Sequence, residues 1–381
     1  MHPYFYPETL SHCFVSLGRR HSSGLTRLTV TLPLVLCVGF LLRSSCLASS
    51  LAAPSSGWTP TDSLSIPRSV HTATLLPDGR VLVAGGDSIS VVTASAEIYD
   101  PATETWTATG SMSVARAGHR AVLLNSGQVM VVGGSNQRTT EFYDPATGLW
   151  TRGPNISGRQ TGGFTLTLLT DGRVLLAGGD DRKSQVYDPT NNSWSPAAPM
   201  VFVQSTPTAT LLSDGTVLVA GGGASPAIRK AEIYDPATNT WTPTGSMNKQ
   251  RAFHAAVLLE SGEVLVAGAF APPDKTSELY DPTTGTWTLT ANLPIAIEQA
   301  TLTLLSDGRA IVAGGVNPHV NHGSTIYDPA TSTWGAVEHV PGDHGVGTTA
   351  TRLLDGRILL VGGNDESFMP TASVDLYQPG D

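Results

Sequence analysis

The chain has 381 residues, 14% of them charged, with 40 glycines, 26 prolines and a formal net charge of -9. This is the composition of a turn-rich strand protein rather than a helical one, and an acidic balance with only four lysines argues against a nucleic-acid partner, whose backbone needs clustered Lys and Arg. Cys13, Cys37 and Cys46 all lie within the first 46 residues, so disulfides, cysteine zinc sites and cysteine nucleophiles are excluded from the rest.

The first element is apolar. Arg19, Arg20 and Arg27 precede the run LTVTLPLVLCVGFLL (Leu28 to Leu42), and small-residue sites follow at Cys46 to Ala48 and Ser50 to Ala52. A basic stretch, an apolar core and a small-x-small exit predict a secretory signal segment over 1–52, hence a secreted or envelope-exported protein. The alternative is an uncleaved anchor, which is the only membrane contact the sequence offers. Against it, the run is shorter than the ~20 residues a span needs, and Pro33 and Arg43 interrupt it.

From Trp58 onward the chain repeats itself. Each unit begins with a run such as HTATLL, turns at an Asp-Gly or Ser-Gly, and continues as a run such as RVLVAGG. A loop of changing length follows, then AEIYD, a DPAT-type turn and a segment holding a tryptophan. The turn glycines are Gly79, Gly127, Gly172, Gly215, Gly262, Gly308 and Gly356, at steps of 43 to 48 residues, which makes seven units. Asp-Gly between two β-rich runs predicts a hairpin, because glycine accepts positive φ. The first two runs carry apolar residues at odd and even positions, so both of their faces are expected to be covered. Asp-Pro fixes a tight turn, and the tryptophan after it supplies surface to pack between sheets. The seventh unit ends at LYQPGD without its tryptophan, and the one unassigned tryptophan is Trp58, just ahead of the first unit. The N-terminal strand around Trp58 is therefore expected to complete the last sheet and leave no edge exposed.

These features (a glycine pair, a downstream Tyr-Asp, then a Trp) resemble the kelch repeat, over about Trp58 to Asp381. The resemblance implies an all-β, seven-bladed kelch-type β-propeller over 57–381, with four antiparallel strands per blade. Some propellers of this superfamily, similar to galactose oxidase, are copper radical oxidases. Their cofactor needs a tyrosine cross-linked to a cysteine, and no cysteine follows Cys46. No cofactor is expected here. No G-x-S-x-G elbow, H-E-x-x-H or Walker loop occurs either.

The hairpins and DPAT turns share one face of the disc, while the post-glycine loops and the crossovers between blades share the other. The second set varies in length, and specificity is expected there. Four crossovers carry arginines, Arg68, Arg116, Arg159 and Arg251. In kelch propellers that bind acidic peptides, arginines in such positions line the central mouth, so the resemblance makes these four ligand candidates; the alternative is pairing with neighbouring acids or carbonyls. His71, His119 and His254 follow three of them at R-x-x-H spacing and read as hydrogen-bonded core residues. His319, His322, His339, Asp343 and His344 are the candidate metal ligands, an N/O set on two adjacent loops. Asp87, Asp180, Asp181, Asp365 and Glu366 follow other glycine pairs and offer a polar rim. The expected function is a binding or scaffold module for a protein or carbohydrate ligand. The competing class is an enzyme, such as a sugar isomerase, a lyase or a metal-dependent activity, using groups near the axis.

Overall fold

In the computed structural model the described residues are 57–158, 163–223, 226–269, 274–316 and 323–380. The chain divides into two units, Met1–Leu51 and Ala52–Asp381, and the repeats occupy the second. The expected signal segment lies outside the described residues.

Seven antiparallel sheets are formed. Blade one consists of Thr72–Leu75, Val81–Ala84, Ala96–Asp100 and Thr105–Thr109, paired in that order. Blades two to six repeat the plan from first strands beginning at Arg120, Phe164, Thr208, Ala255 and Thr301. Blade seven takes Thr349–Arg352, Ile358–Val361 and Val374–Gln378 from the C-terminus and Gly57–Pro60 from the other end of the chain. First strands of successive blades touch one another around the ring, including blade one against blade seven, so they surround the axis.

Local chemistry accounts for the repetition. In each hairpin the turn glycine has a positive φ (Gly79, +89°), and the residue before it caps the turn. That residue is an aspartate in five blades, as Arg80 N donates to Asp78 Oδ1 at 3.1 Å, and a serine in blades two and five, as Gln128 N donates to Ser126 Oγ. In each DPAT turn the aspartate accepts from the amide two residues on, as Asp100 does from Ala102 N. Tyrosine and tryptophan then meet as cross-strand partners. Tyr99 lies opposite Trp106, with ring centroids 5.0 Å apart and tilted by 48°, and the same pairing recurs in every blade.

Trp58 fills the seventh place. It lies opposite Tyr377 at a centroid distance of 5.2 Å. Its indole N–H donates to Ser324 Oγ of blade six, as Trp334 donates to Ser277 of blade five and Trp241 to Ser184 of blade three. Ring closure is therefore made by the same contact that joins neighbouring blades elsewhere.

Burial departs from the sequence reading in one respect. The second strands are fully buried, but the first strands are only half-buried along their length. They border the axial channel, so one side of each meets solvent rather than another sheet. Blade six has a second irregularity. Its outer strand pairs at Thr333–Trp334 and again at Glu338–His339, with residues 335–337 set against 325–326, which is the count of a bulge.

Candidate functional site

The crossovers enter the first strands from the variable face, and one residue in each anchors the crossover. In blade one it is Arg68, whose side chain is 0% exposed. Arg68 Nη1 donates to the carbonyls of Gly85 (2.8 Å) and Ser95 (3.0 Å), and Nη2 donates to Ser95 Oγ and Glu97 Oε1. Arg116 makes the same set with Gly133, Thr139 and Glu141, and Arg251 with Gly268, Thr276 and Glu278. The acid's remaining capacity caps the crossover itself, Ser113 N donating to Glu141 and Asn248 N to Glu278. Burial draws the Arg116 and Arg251 guanidinium groups below their usual range, and the facing glutamates oppose it. In Glu97, burial pushes the carboxyl up, but bonds from Ser65 and Arg68 leave it below the usual range.

Blades four, six and seven build this joint from other residues. Blade four uses Gln204, which donates to the carbonyls of Gly221 and Lys230, while Glu232 is held by Val201 N and Phe202 N. Glu232 makes no ion pair among the described residues, and burial raises its carboxyl against the lowering pull of those two amides and of Arg182. Blade six places Ile297 in an apolar cluster, with Thr325 at the acid's position on the third strand. Blade seven uses His344, with Nδ1 on Gly362 O at 2.8 Å and Nε2 on Asp375 Oδ2 at 2.7 Å. A carbonyl only accepts, so Nδ1 is the donor to Gly362, and Nε2 lies against the Asp375 carboxyl.

The backbone of the anchor reaches the previous blade. Gly86 N donates to Arg116 O, Gly179 N to Gln204 O, Gly222 N to Arg251 O, Ala269 N to Ile297 O and Gly315 N to His344 O. Gly363 N donates to Arg68 O and closes the circle. The first glycine of the pair is the demanding one, because a Cβ on Gly85 would come within 2.5 Å of Arg116 O and one on Gly268 within 2.7 Å of Ile297 O, whereas blade five carries Ala269 at the second position.

The candidate residues are therefore placed as follows. Arg68, Arg116 and Arg251 are not at an open mouth. Their guanidinium groups point inward and are occupied by their own blade, because an acid two residues before the blade tyrosine waits for each. Arg159 lies outside the described residues. His71, His119 and His254 bridge blades, Nε2 bonding Thr349, Thr72 and Thr208 respectively, and burial lowers each ring to a pKa of about 3. Of the proposed metal ligands, His319 and His322 lie outside the described residues. His339 is exposed on the outer strand of blade six, whereas His344 is enclosed in the blade-seven joint beside the axis. Asp343 is exposed at the crossover. Among the described residues, no three His, Cys, Asp or Glu are grouped to hold a metal ion. The acidic rim is partly used up locally. Asp181 pairs with Lys183, and Asp365 caps Ser367 N and Met369 N.

Two features of the mouth escaped the sequence reading. Residues just ahead of the first strands form a rim of backbone bonds, Val70 N to Gly347 O, Gly118 N to Val70 O, Thr206 N to Gly163 O and Gln299 N to Phe253 O. Val70, Thr206, Phe253 and Gln299 meet this demand in the left-handed region, φ +53° to +55°, which is costly for β-branched and aromatic residues. The second feature is Arg120. It opens the first strand of blade two, where blades one, four, six and seven have threonine. Its Nε donates to Phe164 O of blade three at 2.8 Å. The signal was visible as HRAV among HTAT, PTAT and ATLT.

The Kelch motif model matches residues 68–113 and 206–248. The chain is thus a β-propeller of seven four-stranded blades that carries Kelch motifs in blades one and four. A search of the curated proteins finds no match. Among solved structures, the chain is similar to a fungal alcohol oxidase of the AA5 family in complex with copper, at 19% identity and a TM-score of 0.72, over 85% of this chain and 76% of that one. That likeness is one of scaffold. The donor set for a tyrosine–cysteine copper centre is missing, because the last cysteine is Cys46, ahead of the propeller.

Proposed function

We propose that the protein is an exported propeller that works as a binding module, contacting a protein or glycan ligand through its variable face. One observation carries this reading. The post-glycine loops of the neighbouring blades seven and one expose Phe368 (63%), Met369 (41%), Ile89 (59%) and Val91 (65%), side chains that a monomer's surface does not need there. Apolar groups on adjacent variable loops favour a protein ligand over a glycan, since only one of the four is an aromatic ring on which a sugar could stack. With the crossover arginines enclosed, a preference for acidic ligands no longer rests on them. The test is a peptide and glycan array with the purified protein, repeated with Ile89→Ser, Val91→Ser, Phe368→Ser and Met369→Ser combined. A hit weakened at least tenfold at an unchanged melting temperature supports the reading, and an unaltered hit counts against it.

An enzyme using groups near the axis is the second reading. Burial raises the carboxyls of Asp87 and Glu298, and both residues sit in backbone bridges on this face. Turnover of an array hit that is lost in Asp87→Asn or Glu298→Gln would favour it.

A further inference from the structure

Arg120 occupies an unusual position for a cation. It is half-buried at the axial channel, and the first strands beside it carry threonine, alanine, valine, leucine and phenylalanine. Its Nε is bound to Phe164 O, which fixes the plane of the guanidinium. Its Nη1 and Nη2 make no hydrogen bond or ion pair among the described residues, and they are not sealed from solvent. The nearest titratable neighbours do not compensate it. His119 stays neutral because burial lowers its ring to about 3, and Arg116 spends itself on Glu141. Burial alone accounts for the lowered Arg120 pKa, with no acid opposing it.

A partly desolvated cation without a counter-charge is costly, and an anion that brings one recovers part of that cost. Two parallel N–H groups at a fixed fork match a carboxylate in bidentate fashion. We propose that Arg120 is a carboxylate-binding residue at the variable-face end of the channel, its two terminal nitrogens gripping the ligand while Nε holds the fork in place. The site is independent of the apolar loops and does not require them. The carboxylate has two possible sources, a small organic acid entering the channel or the side chain of an acidic protein segment lowered into the mouth.

The test uses the purified protein, acetate and tetraglutamate at constant ionic strength, with binding followed by calorimetry and by the melting temperature. The informative variant is Arg120→Thr, because threonine occupies this place in other blades and is therefore compatible with the fold. Native protein is expected to bind a carboxylate saturably, and Arg120→Thr to lose at least tenfold in affinity while melting no lower in carboxylate-free buffer. Saturation by acetate assigns the site to small acids; saturation by tetraglutamate only assigns it to acidic segments. Absence of saturable binding to either probe, or equal binding by native protein and Arg120→Thr, overturns the proposal.

Discussion

Arg116 and Arg120 stand four residues apart in blade two and live under opposite conditions. Arg116 is 0% exposed, with its terminal nitrogens divided among two carbonyls, a hydroxyl and Glu141. Arg120 is half-buried, holds one carbonyl and faces no acid. The first belongs to a shell of joints that seats each crossover on its blade and ties it to the blade before. The second belongs to the mouth that the shell surrounds. Their difference shows that a repeated cation in a propeller is read from its partner on the third strand. Where an acid stands two residues before the blade tyrosine, the cation is committed; where no acid matches it, the cation is available.

Removing residues 57–63 challenges the shell as a whole and should have the largest effect. It strips blade seven of Trp58 and exposes the edge of Val374–Gln378, so the melting temperature should fall by more than about 10 °C. An unchanged melting curve would show that closure does not support the ring. Arg116→Met breaks one joint and leaves Glu141 buried and unpaired. It should cost about 3–5 kcal/mol in urea unfolding, whereas Arg120→Thr should cost nothing measurable. Equal losses would erase the distinction between the two arginines.

Acid should weaken the shell before the mouth. His71, His119 and His254 have folded pKa values near 3, below the ordinary 6.5. The unfolded chain therefore takes up protons that the folded chain refuses. Stability from these groups is complete above pH 6.5 and is lost as pH falls toward about 3, by up to about 1.4 kcal/mol per pH unit for each histidine. His119→Gln should flatten that slope, and an unchanged slope would remove the histidines from the account. The smallest effect belongs to the rim. Val70→Gly relieves a left-handed β-branched residue at a place where blade two already has Gly118, and should stabilise by about 0.5–1 kcal/mol. A loss of stability there would mean that the left-handed rim is not strained.

Much of the fold was legible before any coordinates. The Asp-Gly hairpins, the Asp-Pro turns and the Tyr-to-Trp step are local chemistry repeated in register, and Trp58 could be assigned to blade seven because one tryptophan was missing and one was spare. The direction of the arginines was harder to see. R-x-x-H at a crossover is compatible with a side chain facing the mouth or the blade, and the choice depends on a residue about 25 positions later. The clue was present as paired variation within the chain. Arg occurs with Glu97, Glu141 and Glu278, Gln204 with Glu232, Ile297 with Thr325, and His344 with Asp375. The rim's left-handed residues had no such sign, because Val70, Thr206, Phe253 and Gln299 share no chemistry. Their conformation follows from the ring of backbone bonds, a long-range demand that no single repeat reveals.

The claim that the crossover arginines serve the shell is tested most directly by a double-mutant cycle in blade two, using the pair that blade six already carries. Urea unfolding would compare native protein with Arg116→Ile, Glu141→Thr and the two combined. Each single change should be strongly destabilising, and the double should recover much of the loss, with a coupling of at least about 2 kcal/mol. Strictly additive losses would contradict the account and return Arg116 to the set of residues free to meet a ligand.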